Sequence, residues 1–185
     1  MVEKNYTPEL ARYLPEHLLE SIYKFHCTNF KFKGSYLQLL GEEHVHEVIK
    51  ITCILLSEED VTSNPYLGAN YVELLFLFLL ETKTGIMYEV YKTNQVAHQN
   101  LTFSLMRFYN DIAVTGSSNQ FYEKFKYRFY VNKIFTHLWQ HEIYRSNLQT
   151  YFKTDVFERF LNMAMGDTTY CFDETNEKYD NYKKL

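Results

Sequence analysis

The sequence predicts an all-α fold of stacked helical hairpins, an α-solenoid segment, on three observations. Apolar residues recur at helical spacing almost from end to end, with no run of strand-like alternation. Glycine and proline are scarce, 6 and 3 in 185 residues, which leaves little material for hairpins or long linkers. Two of the helical segments are apolar on nearly every side, and a soluble helix sustains that only between neighbours on both flanks. Inner helices of this kind favour stacked layers over a lone four-helix bundle.

Each element has its own signal. Leu14, Leu18, Ile22 and Phe25 form the first inward stripe, and Pro15 suits a first helical turn. After a break at Gly41, Val45, Val48, Ile49, Thr52 and Leu56 form the second. Asn64-Pro65 pairs a good cap with a good first residue. The helix it opens carries Leu67, Tyr71, Leu74, Leu75 and Phe78 inward, while Phe76, Leu77, Leu79 and Leu80 fill its remaining face. Gly85 marks a turn before a short helix near Ile86–Lys92.

Asn100 is read as the cap of a helix over Leu101–Val114 that ends before Gly116. Its two stripes are Leu101/Leu105/Phe108/Ile112 and Phe103/Met106/Tyr109/Ala113, with Ser104, Arg107 and Asp111 as a narrow wet edge. Ser117-Ser118-Asn119-Gln120 fits a capping box. A long helix follows to about Glu142, with Val131, Ile134, Phe135 and Leu138 inward. The last helix starts near Thr154-Asp155, and Glu158 in its first turn favours the dipole. Phe157, Phe160, Leu161, Ala164, Thr168, Cys171 and Phe172 line its inward face. Residues 1–185 are read as one domain.

Composition narrows the function classes. Net charge is −4 with both signs dispersed, so no basic block exists to neutralise a phosphate backbone. "FKFKGS" at Phe30–Ser35 and "EKFKYRF" at Glu123–Phe129 interleave aromatics with cations as single-strand binders do, but each reads as an amphipathic helical face. The opening Met1–Thr7 is polar and does not read as a signal peptide. The longest apolar run, Leu74–Leu80, falls far short of the roughly 20 residues of a membrane helix. Cys27, Cys53 and Cys171 are widely spaced and odd in number, which fits a reducing compartment, cytosol or nucleus.

Three strings carry a family resemblance: "NPYLGANYVELLF" at Asn64–Phe76, "SLMRFYNDIAVTGSSNQFYEKFKYRFYVNKIFTHLW" at Ser104–Trp139, and "NMAMGDTTYCFDE" at Asn162–Glu174. They resemble the core of the ubiquitin conjugation (chain-elongation) factors, and the likeness runs from about Leu14 to the end. The resemblance implies an elongated, curved stack of armadillo-like helical pairs, followed in the family by a C-terminal U-box. It implies a ubiquitin-protein ligase that extends ubiquitin chains on pre-modified substrates. The partners it implies are a ubiquitin-conjugating enzyme, ubiquitin-like-domain shuttle proteins and a hexameric AAA-type segregase. These 185 residues correspond to an interior part of that core and contain no U-box. Phe172–Leu185 reads as a helix cut while still running. A U-box ligase works by bringing a charged enzyme to its acceptor, so this chain alone is expected to be inactive.

No catalytic, cofactor-binding or metal-ligating set emerges from the sequence. His137 and His141 stand at i, i+4 as two metal ligands would, but Leu138 replaces the glutamate that a zinc protease needs there. They read as edge histidines bonded to a neighbouring helix. A hydrolase would also need a third ligand, for which His44, His46 and Glu142 are conceivable. Cys171 and Cys53 lie on apolar stripes and read as buried, inert thiols and not as ubiquitin-carrying nucleophiles. Glu42-Glu43, Glu58-Glu59-Asp60 and Asp173-Glu174 read as solvated charge, and "TGSSN" at Thr115–Asn119 as a turn with a cap.

The leading expectation is therefore a scaffold segment whose important residues are structural: Asn64, Pro65, Leu75, Phe108, Phe129, Phe135, Trp139 and Phe160. The alternative is a stand-alone helical adaptor without catalysis that docks a peptide or ubiquitin-like domain. Its exposed patch is to be sought in the tyrosine-rich segments Tyr88–Tyr91 and Tyr122–Tyr130. A metal hydrolase resting on His137 and His141 ranks last.

Overall fold

A computed structural model describes residues 13–32, 36–58, 65–80, 86–112 and 120–183. These residues form helices α1 (Glu16–Phe32), α2 (Tyr36–Leu40), α3 (Glu42–Ser57), α4 (Pro65–Leu80), α5 (Ile86–Thr93), α6 (Gln95–Asp111), α7 (Gln120–Leu138), α8 (Glu142–Thr150) and α9 (Asp155–Lys183). No strand occurs among the described residues, so the all-α expectation holds. Helix α6 is the hub, packed against α3, α4, α7, α8 and α9. Helix α4 forms a second centre, touching α1, α3 and α7.

Local chemistry sets the boundaries. Gly41 precedes α3 with φ +75, a left-handed conformation that a side chain would strain. Asn94 caps α6: its Oδ1 accepts from the Ala97 amide at 3.1 Å. The Thr154 Oγ1 accepts from the Phe157 amide at 3.3 Å and so caps α9. The carbonyl end of α3 is satisfied from α6, where Arg107 Nη2 donates to Leu56 O at 2.9 Å and Ser57 O at 3.0 Å. At Gly68 the α4 backbone comes so close to α6 that a Cβ there would stand 3.2 Å from the Phe108 ring.

The core follows the predicted stripes of the middle of the chain. Val45, Ile49 and Leu56 on α3, Leu67, Leu74, Leu75 and Phe78 on α4, and Leu101, Leu105, Met106 and Tyr109 on α6 are all buried. Val131, Ile134 and Leu138 are buried on α7, with Phe135 packed against them. The short helix expected near Ile86–Lys92 is α5, and the last helix starts at Asp155 as read.

Several expectations need correction. On α1, Leu18, Ile22 and Phe25 face outward, and Leu19, Tyr23, His26 and Cys27 are buried instead. The polar tips of Tyr23 and His26 disguise the true inner face, since each finds a buried hydrogen-bond partner. Asn100 lies inside α6, which begins five residues earlier behind Asn94. Ser104 is buried, not part of a wet edge. Leu80, at the end of α4, is exposed.

Helix α7 stops at Leu138, and a separate helix, α8, follows that the sequence reading did not anticipate. Trp139 falls in the turn between them and is 58% exposed. Phe129 is 50% exposed because its neighbour Arg128 takes the inward position. On α9, Phe157, Phe160 and Ala164 are half-buried, whereas Leu161, Thr168, Cys171 and Phe172 are exposed. Cys171 is therefore not a buried thiol. Asn64, Gly85 and the Ser117–Asn119 part of the capping box lie outside the described residues.

Candidate interaction surfaces

The buried polar groups fasten helices to one another. In α1, the Tyr23 hydroxyl donates to Glu73 Oε2 on α4 at 2.8 Å, and Lys126 on α7 stands 3.7 Å from the same oxygen. Burial and the bond to Glu73 hold the Tyr23 hydroxyl far above its ordinary range. A second lock joins α6, α7 and α9. Arg128 Nη1 donates to both oxygens of Asp167 at 2.7 Å, and the Tyr109 hydroxyl donates to Asp167 Oδ2 at 2.7 Å. The guanidinium also lies over the Tyr109 ring, 4.6 Å from its centroid. Asn110 Nδ2 donates to Val156 O at 3.0 Å and pins the start of α9.

Neither lock was foreseen, yet both left a trace in the sequence. Glu73 is the sole charge in the apolar helix Pro65–Leu80. Arg128 sits three residues before Val131 on the inner stripe of α7. A charge on an inward stripe must find a partner there.

The residues weighed for chemistry do not assemble into a reactive centre. His137 packs its ring edge-on to Tyr91 at 5.4 Å and lies 5.6 Å from the His141 ring. Burial lowers the pKa of both imidazoles, with His141 adding to the effect at His137 and His98 at His141. His44 lies instead beside His26 at 6.3 Å, His46 beside Glu42 and Thr93, and Glu142 is exposed. Among the described residues no three His, Cys, Asp or Glu side chains gather to hold a metal. Cys53 is fully buried, and desolvation pushes its thiol up to about 12, far from a nucleophile at neutral pH.

What the described residues do offer is exposed apolar surface, in three places. Helix α9 runs 29 residues without one buried residue, and it exposes Leu161, Met165, Tyr170, Phe172, Tyr179 and Tyr182. At the other side, the outward stripe of α1 borders a groove between α1, α3 and α4 with a cavity of about 230 Å³. On the third patch, Phe129 covers Phe76 at 6.1 Å and Lys133 lies 5.3 Å from the Phe129 ring. Of the tyrosine-rich segments, Tyr91 is fully buried, Tyr127 and Tyr130 are half-buried, and the side chains of Tyr88 and Tyr122 lie outside the described residues.

Comparison with known proteins places this arrangement. The family model described as the ubiquitin elongating factor core matches residues 3–185. The chain is 35% identical over 173 residues to the ubiquitin conjugation factor E4 of Schizosaccharomyces pombe, covering 90% of this chain and 17% of that protein. It is 27% identical over 175 residues to the E4 ubiquitin-protein ligase UFD2 of Saccharomyces cerevisiae, covering 91% and 18%. To the probable ubiquitin conjugation factor E4 of Arabidopsis thaliana it is 25% identical, covering 93% and 17%. It thus spans less than a fifth of the length of these relatives. No solved structure matches. The unbroken match over residues 3–185, across every described helix, shows that the chain belongs to the ubiquitin elongating factor core family, as a partial segment of that core.

Proposed function

We propose that this chain serves as a scaffold segment in the core of a U-box ubiquitin-protein ligase that elongates ubiquitin chains on pre-ubiquitinated substrates. The observation that carries the reading is α9, a helix with an apolar face and no buried residue. An exposed apolar face of that length marks a contact surface, and this chain spans only 17% of the Schizosaccharomyces pombe relative. The locks Tyr23–Glu73–Lys126 and Arg128–Asp167–Tyr109 hold α1, α4, α6, α7 and α9 in fixed register, as a spacer requires.

In this role the segment holds substrate-binding and U-box ends at a set distance, and catalysis is proximity supplied by other parts. The partners of the whole ligase are a ubiquitin-conjugating enzyme, ubiquitin-like-domain shuttle proteins and an AAA segregase, met in the cytoplasm or nucleus. Reconstitution tests this. The chain alone, with activating and conjugating enzymes and a ubiquitinated substrate, yields no elongation. Leu161→Glu with Met165→Glu, placed in a full-length U-box polypeptide carrying this segment, lowers its elongation rate. Chain growth by the 185 residues alone would refute the scaffold.

A further inference from the structure

We infer that α8 and the turn before it form an acid-released latch: protons taken up by His137 and His141 free Glu142–Thr150 from α5 and α6 while the rest of the fold stays closed. The inference does not rest on the ligase reading. Helix α8 is lightly held. Of its 9 residues only Tyr144 is buried. The Tyr144 hydroxyl donates to Tyr91 O at 3.0 Å, and Asn147 Nδ2 donates to His98 O. Both ties run to the strip of α5 and α6 around His98, whose own Nε2 meets Tyr91 O at 2.9 Å. A helix with one buried side chain opens locally at far lower cost than the core.

Three imidazoles stand at that attachment. His141 is 6% exposed, and its ring lies 5.6 Å from that of His137 and 6.0 Å from that of Tyr144. The His98 ring packs edge-on to the same Tyr144 at 5.3 Å. His137 Nε2 is buried with no hydrogen-bond partner among the described residues, and its ring abuts fully buried Tyr91 at 5.4 Å. An imidazolium in this aromatic setting gives up water, and two of them so close repel. His141 is also the N-cap residue of α8, at φ −103 and ψ 127, and its side chain makes no cap bond. A positive charge there opposes the helix dipole, so a proton on His141 weakens the helix that it starts.

The charged groups around the rings do not offset this. From α5, Glu89 favours a cation on His141, but it already stands 3.7 Å from Lys92, which opposes one. His98 of α6 and Arg145 of α8 oppose it as well. On α7, Lys133 lies over the Phe129 ring, four residues before His137. From α3, Cys53 acts on Tyr91 and Tyr144, and its protonated thiol brings no charge. Burial first, then the neighbouring imidazole, lowers the proton affinity of His137 and His141 in the closed form. Once α8 lets go, the rings regain water and return toward their ordinary value of about 6.5. Opening is therefore favoured as pH falls below about 6.5, and closing is restored above it.

The test is hydrogen–deuterium exchange of the 185-residue chain at about pH 7.5 and about pH 5, read as protection factors corrected for the intrinsic rate at each pH. Protection over Glu142–Thr150 falls by about tenfold or more, the yield of one proton bound over one pH unit. Leu105–Tyr109 in α6 keeps its protection. His141→Asn puts a neutral capping side chain in place of the imidazole. It removes most of the response and leaves protection at the higher pH equal or greater. His137→Gln reduces the response, and His26→Phe on α1 leaves it intact.

Constant protection over α8 across that range would overturn the proposal. So would a proportional loss in Leu105–Tyr109, which reports unfolding of the whole chain. A response undiminished in both His141→Asn and His137→Gln, or abolished by His26→Phe, would place the responsible proton elsewhere and overturn it too. Imidazole proton shifts of the unaltered chain, followed by NMR, need no variant to fold. His137 and His141 titrating at about 6.5 or above in the closed chain would remove the driving force. None of these results bears on ubiquitin-chain elongation, so the two readings fail separately.

Discussion

Helices α6 and α9 carry similar side chains and meet opposite fates. In α6, Leu101, Leu105, Met106 and Tyr109 are wholly shielded from water. In α9, Leu161, Met165 and Phe172 are exposed, and none of its 29 residues is buried. The difference is cover. Helix α6 has α3 and α8 as well as α9, α7 and α4 about it, whereas among the described helices α9 leans chiefly on α6. An apolar stripe states that a helix needs a neighbour. It does not state which neighbour, or whether the neighbour lies in the same stretch of chain.

The sharpest way to break this comparison is to cut into the covered side. Phe108 is 7% exposed and packs on the α4 backbone at Gly68. Phe108→Ala should cost about 3–5 kcal/mol by opening a cavity, read as a lowered midpoint in chemical denaturation. No loss there would mean that α6 is not the inner helix. Next in size is Arg128→Ala. It leaves the Asp167 carboxylate facing the Tyr109 hydroxyl without its cation, at a cost of about 3 kcal/mol. Because this lock is one of the ties between α9 and helices α6 and α7, beside the Asn110–Val156 bond and the packing of Phe160, the variant should also speed amide exchange along Asp155–Asp167. Exchange unchanged in that stretch would show that apolar contact and the Asn110–Val156 bond retain α9 without the lock.

Legibility follows the same division. The middle of the chain was readable because Leu67, Leu75, Ile49 and Leu105 have no polar atom, so periodicity alone gives the face they turn inward. At α1 the rule failed: Tyr23 and His26 hide apolar rings behind polar tips, and the greasier Leu18, Ile22 and Phe25 are outside. At α9 it failed for want of cover, which no local pattern can report. Asn100 misled because Asn94, six residues earlier, offers an equal cap. The exposed apolar surfaces are the least readable part. They are made of ordinary core-type residues left uncovered, and only the assembled fold tells the two apart.

A third prediction concerns pH and again separates the two regions. His26 on α1 is buried, with Nδ1 3.0 Å from the Tyr36 hydroxyl, and His44 nearby. Burial first, and His44 second, lower its pKa to about 4 from an ordinary value near 6.5. The folded state thus prefers the neutral ring, and the unfolded chain takes up its proton first. Stability should be level above about pH 6.5, fall as pH drops toward 4, and lose about 2–3 kcal/mol from this site. His137 and His141, lowered in the same direction, steepen the fall. Urea midpoints measured across that range for His26→Phe should show a shallower decline than the parent. An identical slope would place His26 in contact with water.

The smallest effect tests the bare side of the comparison. Leu161 is 44% exposed on α9, and Leu161→Ala removes apolar surface that is still largely wet. A helix also favours alanine slightly over leucine, so the lost contact and the gained propensity nearly cancel. The change in this chain should stay within about 0.5 kcal/mol, a shift of one or two degrees at most in melting temperature. The same substitution becomes informative in a longer polypeptide that brings cover to α9. There, Leu161→Ala should cost several times more, because the side chain is withdrawn from a packed interface and not from water. A cost that stays small in the longer chain would mean that α9 remains bare there too. The apolar face would then need an intermolecular partner to account for it.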